Sequence, residues 1–322
     1  LKTNHIFIDT RTPKEFAEDH LPHAINVPIL SNEERAVVGT LYTQVSREDA
    51  VNKGVELFAQ KLPTFMKQIN QYRNQKIIIN CWRGGMRSRA AVALLNALGY
   101  DAIQLKGGYK SFREYVRDRL YNYDFKPQLI MLWGLTCTGK TKILTHFENS
   151  LDVEGLAQHR SSLFGGVGLN PHTQQRFENL LLRRLEKLNT EKVVFVEGEG
   201  RRIGDLIIPE TLWKKFMKGK NILITGSLNQ RANVAVEEYL KDEENIIKIK
   251  EIALSLRQLI SKENKEKIAK SIDNQDYHTA AKILLEFYYD PLYSHTLKQK
   301  TFDAEINSDD IEHAVKELKK LL

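Results

Sequence analysis

Apolar residues in this chain gather in short runs at 6–8, 77–79, 100–105, 128–133, 192–197 and 221–226. Most are rich in Ile, Val or Leu and bounded by turn-forming residues, which predicts strands buried in a sheet. Between them the apolar spacing becomes helical. Thr12, Pro13 and Glu15 form a helix start with Thr12 as N-cap, and Asp19–Pro28 turns into a further short strand. Helical spacing covers much of 32–72, then Ser88–Leu98 up to Gly99, Ser111 to about Leu120, Lys142–Phe147 and Thr173–Leu188. Residues 231–280 are mostly helical, and a last helix has Ser308 as N-cap and Lys319 and Lys320 in its final turn. Strands alternating with helices predict an α/β protein with parallel sheets. The short aromatic and polar segment Tyr121–Pro127 reads as a linker, giving domains 1–124 and 125–322, the second with a helical region at about 231–295.

Composition narrows the class. A length of 322 residues suits two domains, at roughly 150 residues each. No window approaches the ~20 apolar residues of a membrane span, and no secretory apolar region is visible, so no membrane partner is expected. Two cysteines in glycine-containing loops are no disulfide framework, which points to a reducing cytoplasm. The net charge of +7 suits a polyanion such as RNA.

The first chemical signal is Cys81-Trp82-Arg83-Gly84-Gly85-Met86-Arg87-Ser88, directly after the run Lys76–Asn80. A strand ending on a thiol, then paired glycines, then Arg-Ser opening a helix, describes a loop whose backbone N–H groups can converge on an anion. The same field favours a thiolate nucleophile at Cys81, with Arg83 and Arg87 beside it. The plain alternative is a cysteine packed at a strand end, against which two glycines and two arginines count as poor core residues. Asp9 and Arg11, at the end of the first strand, read equally as a surface ion pair or as support for a site.

The second signal is Gly134-Leu135-Thr136-Cys137-Thr138-Gly139-Lys140-Thr141, a Walker A pattern between a strand and a helix. Its glycines let backbone amides approach phosphate oxygens at Gly134, Thr136, Thr138 and Gly139. Lys140 adds a charge, and the Thr141 hydroxyl can reach magnesium. Cys137 reads as a small loop residue. The strand Lys192–Glu197 ends in an acid, so Glu197 or Glu199 can hold a metal through water or orient a nucleophile. Arg201 and Arg202 follow, either neutralising phosphate or pairing with those glutamates. His159–Gly166 reads as a ligand lid or a polar turn. The aromatic stretch Tyr288–His295 reads as a base-stacking surface or a plug of the core.

Asp9-Thr10-Arg11, the Glu15-Phe16 helix, His20–Pro28, the strand-ending Cys81 and Leu105–Tyr109 together resemble a rhodanese domain. One departure is that five residues, not the common four, separate Cys81 from Arg87. That spacing is also the pattern of cysteine-dependent phosphatases, so a phosphatase fused to a kinase-like P-loop module stays open. A non-catalytic sulfur-relay or RNA-binding protein is the other alternative. With the P-loop, Glu154–Gly166, Arg176–Leu181, Glu197–Gly204 and Tyr288–His295 added, the chain resembles the tRNA 2-selenouridine synthase family over nearly its whole length.

That resemblance implies a rhodanese-like three-layer domain followed by a P-loop NTPase-like parallel-sheet domain with a helical C-terminal part. It implies an enzyme replacing sulfur by selenium in the wobble 2-thiouridine of tRNA, through S-geranylation from geranyl diphosphate and then selenation from selenophosphate. Cys81 would be its essential cysteine, with Arg83 and Arg87 holding the anionic donor. Lys140 and Thr141 would bind diphosphate, with Mg2+ at Thr141 and Glu197. Trp82 and Met86 are apolar for an anion loop and are expected to contact the prenyl chain. The partners implied are the tRNA anticodon region and an enzyme supplying selenophosphate.

Overall fold

The computed structural model describes residues 5–256 and 260–321 and divides into two compact units, residues 1–119 and 120–322. In the first, β1 (His5–Asp9), β2 (Ile25–Asn26), β3 (Lys76–Asn80) and β4 (Ala102–Gln104) pair in the order β2-β1-β3-β4, every neighbour parallel. Its helices are α1 (Pro13–Glu18), α2 (Asn32–Gln44), α3 (Arg47–Ile69), α4 (Met86–Ala97) and α5 (Gly108–Tyr121). Ile8, Ile77 and Ile79 of the sheet pack with Phe65 and Ile69 of α3 and Ala91 and Leu95 of α4. The helix start at Thr12 forms as its residues predict. Glu15 N donates to Thr12 Oγ1, and Thr12 N donates to the Glu15 carboxylate. Two starts come earlier than their spacing suggests, α4 at Met86 and α5 at Gly108, because each loop's glycine pair already turns the chain.

Asp9 and Arg11 are not a surface pair. Both are buried, with Arg11 NH2 2.7 Å from Asp9 Oδ2 and donating also to Asp19 O. The Arg11 guanidinium lies 3.7 Å from the centre of the Tyr109 ring, and Tyr109 OH donates to Asp19 Oδ2 at 2.9 Å. Burial, then the Asp19 charge, raises the Tyr109 pKa, so it stays a donor. The network ties the end of β1 to the start of α5.

The second unit has β5 (Gln128–Trp133), β6 (Ser150–Leu151), β7 (Val193–Glu197), β10 (Lys220–Thr225) and β11 (Ala304–Asn307), all parallel in the order β11-β10-β5-β7-β6. Two further strands, β8 (Arg202–Ile203) and β9 (Leu206–Ile207), make a separate antiparallel hairpin. The helices are α6 (Lys140–Leu144), α7 (Val153–Ala157), α8 (Gln174–Leu188), α9 (Glu210–Phe216), α10 (Leu228–Tyr239), α11 (Glu243–Ser255), α12 (Lys262–Asp273), α13 (Tyr277–Leu284), α14 (Asp290–Lys298) and α15 (Ile311–Lys319). A π-helical turn at Leu285–Tyr289 joins α13 to α14. The helical stretch expected over 231–280 is therefore several helices, and its residues 257–259 lie outside those described.

Ile130, Leu132, Phe195, Ile222 and Ile224 of the sheet pack with α6 and α15. The helical region has its own core of Ile249, Ile268, Ile272, Leu284, Tyr288 and Tyr289 with Phe164. Tyr288 and Tyr289 are thus core residues, as the plug reading had it. Ser308 is not the N-cap of the last helix: Asp310 caps α15, accepting from His313 N. Ser308 follows β11, an edge strand too short and polar to announce itself, and is buried there.

Replacing Asp9 by Ala strands the buried Arg11 cation, at a cost of about 3–5 kcal/mol. Hydrogen exchange will register this as lost protection of the β1 and β3 amides.

Candidate active site

The sulfur of Cys81 sits at the end of β3, 3% exposed, where the chain leaves the sheet. Gly85 N donates to Sγ at 3.2 Å, and the Ser88 hydroxyl lies 3.1 Å from it. Gln104 Nε2 donates to Ser88 Oγ at 2.8 Å, so the end of β4 braces the hydroxyl that faces the sulfur. The loop is held from behind: Tyr109 N donates to Cys81 O at 2.9 Å and Lys110 N to Trp82 O at 2.8 Å. Gly108 makes this approach feasible. Its φ is +61°, and a Cβ there would stand 2.3 Å from Cys81 O.

Arg87 pairs with Glu15 of α1 at 3.0 Å, while Arg83 is exposed. Both line a cavity of about 550 Å³ with Cys81, Trp82, Met86 and, from α2, Arg35, Val38 and Tyr42. Trp82 and Met86 are 41% and 45% exposed, forming an apolar wall beside the cations. A cup with a sulfur at its base, three arginines around it and one greasy side suits an anion carrying or meeting an apolar group.

In the second unit the Walker A loop joins β5 to α6. Gly134 passes so close to β10 that a Cβ would lie 2.4 Å from Ile224 O. The loop's carbonyls are held by four side chains: Lys140 Nζ donates to Gly134 O at 3.1 Å, Thr138 Oγ1 to Leu135 O at 2.9 Å, Arg231 Nε to Thr136 O at 2.9 Å, and Ser308 Oγ to Thr138 O at 2.6 Å. Arg231 in turn is forked onto Asp290, its NH1 3.0 Å from Oδ2. Neither Arg231 nor Ser308 belongs to a motif, and only the fold brings them here. Cys137 adopts a left-handed φ of +62° and packs against the helical core. Burial first, then the Glu238 charge, pushes its thiol up to about 12, so it stays protonated. That is the behaviour of a small packing residue.

Over the loop lies a cavity of about 50 Å³ lined by Gly134, Thr136, Thr138, Gly139, Lys140 and Thr141. Its far wall carries Glu154, Arg160, Glu197, Glu199, Glu238 and Tyr293. Thr141 Oγ1 donates to Glu197 Oε1 at 3.1 Å. Burial raises the pKa values of Glu154 and Glu197 well above the usual carboxylate range. The charges of Glu197 and Glu199 add to it at Glu154, and that of Asp152 at Glu197. Glu197 Oε2 is buried without a hydrogen-bond partner. Hard carboxylate and hydroxyl oxygens at this spot suit a magnesium ion, which Thr141 and Glu197 would hold.

Arg201 and Arg202 do not line this cavity. Arg201 NH1 lies 3.8 Å from Glu210, and Arg202 NH2 lies 3.0 Å from Asp205, because the β8–β9 hairpin carries them aside. Arg202 instead lines a neighbouring cavity of about 700 Å³ with His159, Tyr288 and Tyr293. Glu154 and Tyr293, which lie in the stretches Glu154–Gly166 and Tyr288–His295 but carried no site role there, and Glu238, which lies in no motif, also join the P-loop cavity.

The family model of the rhodanese-like domain matches residues 1–115, and that of the tRNA 2-selenouridine synthase AAA domain matches residues 127–255. The tRNA 2-selenouridine synthase of Hydrogenovibrio crunogenus is 32% identical over 322 residues, spanning 91% of this chain and 89% of that protein. The chain belongs to the tRNA 2-selenouridine synthase family. The Sulfurovum sp. protein of that name is 30% identical, over 92% of this chain and 90% of its own. The Nitrosomonas europaea one is 34% identical, over 72% and 63%. Family membership makes the chain an enzyme of this type and bears out the resemblance in its motifs, against the phosphatase and the non-catalytic readings. Among the described residues no helix is long and apolar enough to cross a membrane.

Replacing Arg231 by Met leaves Thr136 O and the Asp290 carboxylate without their donor. A charged hydrogen bond is worth about 1.5–3 kcal/mol, so pyrophosphate binding by calorimetry should weaken roughly 10- to 100-fold. Asp290→Asn, which keeps a neutral acceptor, should lose less.

Proposed function

We propose that this chain replaces sulfur by selenium in the wobble 2-thiouridine of tRNA in two steps, using geranyl diphosphate and then selenophosphate. The observation that carries this reading is the Cys81 cup, where one cavity joins a sulfur, three arginines and an apolar wall. A thiocarbonyl sulfur leaves carbon poorly. Its attack on C1 of the geranyl group breaks the C–O bond to diphosphate and turns the sulfur into a thioether that departs readily as a thiol. The selenium of selenophosphate then attacks C2 of the base, the geranylthio group leaves with the electron pair of its C–S bond and takes up a proton, and water cleaves the Se–P bond, releasing phosphate and leaving selenium on C2.

In this reading Lys140, the P-loop amides and Thr141 clamp the diphosphate, so it is a better leaving group. Magnesium bound at Thr141 and Glu197 would add charge neutralisation there. Arg201 and Arg202, both exposed and the second lining the larger cavity, would then meet the tRNA backbone rather than the diphosphate. Arg83 and Arg87 hold selenophosphate near Cys81, and Trp82 and Met86 take the prenyl group that must be displaced. An enzyme that makes selenophosphate supplies the donor, and the anticodon region of tRNA is the substrate, with the cytoplasm as the setting.

The test is mass spectrometry of nucleosides from thiolated tRNA incubated with the protein, geranyl diphosphate and selenophosphate. Geranylated and then selenated uridine are expected. Cys81→Ser should abolish selenouridine while leaving tRNA binding intact, and normal selenouridine from that variant would overturn the role of Cys81. Lys140→Ala should weaken geranyl diphosphate binding; if only ATP binding were lost, the P-loop would be a nucleotide site instead. Trp82→Ala should lower affinity for the prenyl group.

A further inference from the structure

Phosphate-binding loops commonly receive magnesium together with the phosphates it bridges. The wall facing this loop is built differently. Four carboxylates, Glu154, Glu197, Glu199 and Glu238, line the cavity against two cations, Lys140 and Arg160. Each cation already has partners at the cavity. Lys140 Nζ donates to the loop carbonyls Gly134 O and Leu135 O, and Arg160 Nε lies 3.8 Å from Glu238. A divalent cation held among these acids adds positive charge to the cavity, and that charge draws a diphosphate.

Three of the acids converge. One carboxylate oxygen from each of Glu154, Glu197 and Glu199 lies within 4.8 Å of the others. They come from different places: Glu154 from α7, Glu197 from the last position of β7, and Glu199 from the turn after it. Glu197 is 2% exposed and lines the cavity, with its Oε2 lacking a hydrogen-bond partner. A buried carboxylate oxygen without a hydrogen-bond donor, on an acid that meets two others from separate elements, is an arrangement a bound cation satisfies. Oxygen donors alone, several of them charged, select a hard divalent ion.

We propose that Glu154, Glu197 and Glu199 form a divalent-cation site that fills before any phosphate arrives, so that the cation turns the P-loop cavity receptive and the diphosphate binds second. Glu154, outside both Walker elements, is the residue that makes the site independent of the phosphates. The order of binding rests on reading the P-loop as a diphosphate site; the cation site does not.

Electron paramagnetic resonance of the full chain titrated with Mn2+, with no phosphate present, reads the site directly. One bound Mn2+ per chain is expected, with a rise in thermal unfolding temperature on adding Mn2+. Glu154→Gln and Glu199→Gln should each weaken Mn2+ binding by at least the 10- to 100-fold that loss of an outer-shell partner typically costs, a rough scale. Calorimetry with inorganic pyrophosphate should give binding only when Mn2+ is present. Mn2+ binding only after pyrophosphate, or an unchanged Mn2+ affinity in Glu154→Gln, overturns the proposal. Mn2+ binding without pyrophosphate binding under any condition keeps the cation site and overturns the diphosphate reading. Should either variant fail to fold, the wild-type titration and the other variant decide.

Discussion

In both units the working loop turns its carbonyl groups into the protein and has them held there by donors from distant segments. Cys81 O and Trp82 O take the amides of Tyr109 and Lys110. Thr136 O and Thr138 O take the side chains of Arg231 and Ser308. Because N–H and C=O of a trans peptide point in opposite directions, fixing the carbonyls inward aims amides outward, and outward is where an anion arrives. The anion sites therefore depend on bonds spanning from 28 to 170 residues of chain.

The buried group Asp9, Arg11, Asp19 and Tyr109 serves the same end one layer further back. Tyr109 follows Gly108, so anchoring the tyrosine to Asp19 and under Arg11 also anchors the amide that holds Cys81 O. An ion pair this deep is costly to desolvate and gains little stability over an apolar core. Here it fixes direction: the end of β1 and the start of α5 cannot slide past each other without breaking several charged bonds.

Much of this was legible from local chemistry. The isoleucine run before Cys81, the capping box at Thr12 and the Walker A loop each carry their signal within a few residues, and each forms where it is written. What stayed hidden depends on tertiary pairing. Four residues, Ala304–Asn307, become a strand only because β10 offers them an open edge. Ser308 has the chemistry of a helix cap but meets Thr138 O first, and Asp310 takes the cap instead. Arg201 and Arg202 looked aimed at phosphate because they follow an acidic strand end, yet a short hairpin redirects them to Glu210 and Asp205. Glu154 sits on a helix of five residues, with nothing beside it in sequence to say it faces Glu197.

The π-helical turn at Leu285–Tyr289 makes the helical region more than a cover. Asp290, the first residue beyond it, grips Arg231, which grips the P-loop at Thr136; three residues on, Tyr293 reaches the same cavity. The turn therefore sets the phase of α14 for two tasks together. Adding or removing one residue there would rotate Tyr293 and Asp290 by the same angle, so the chain cannot tune its cavity wall without retuning the tension on its phosphate loop. Drift in the length of this segment is mechanically forbidden, whatever latitude its surface residues keep.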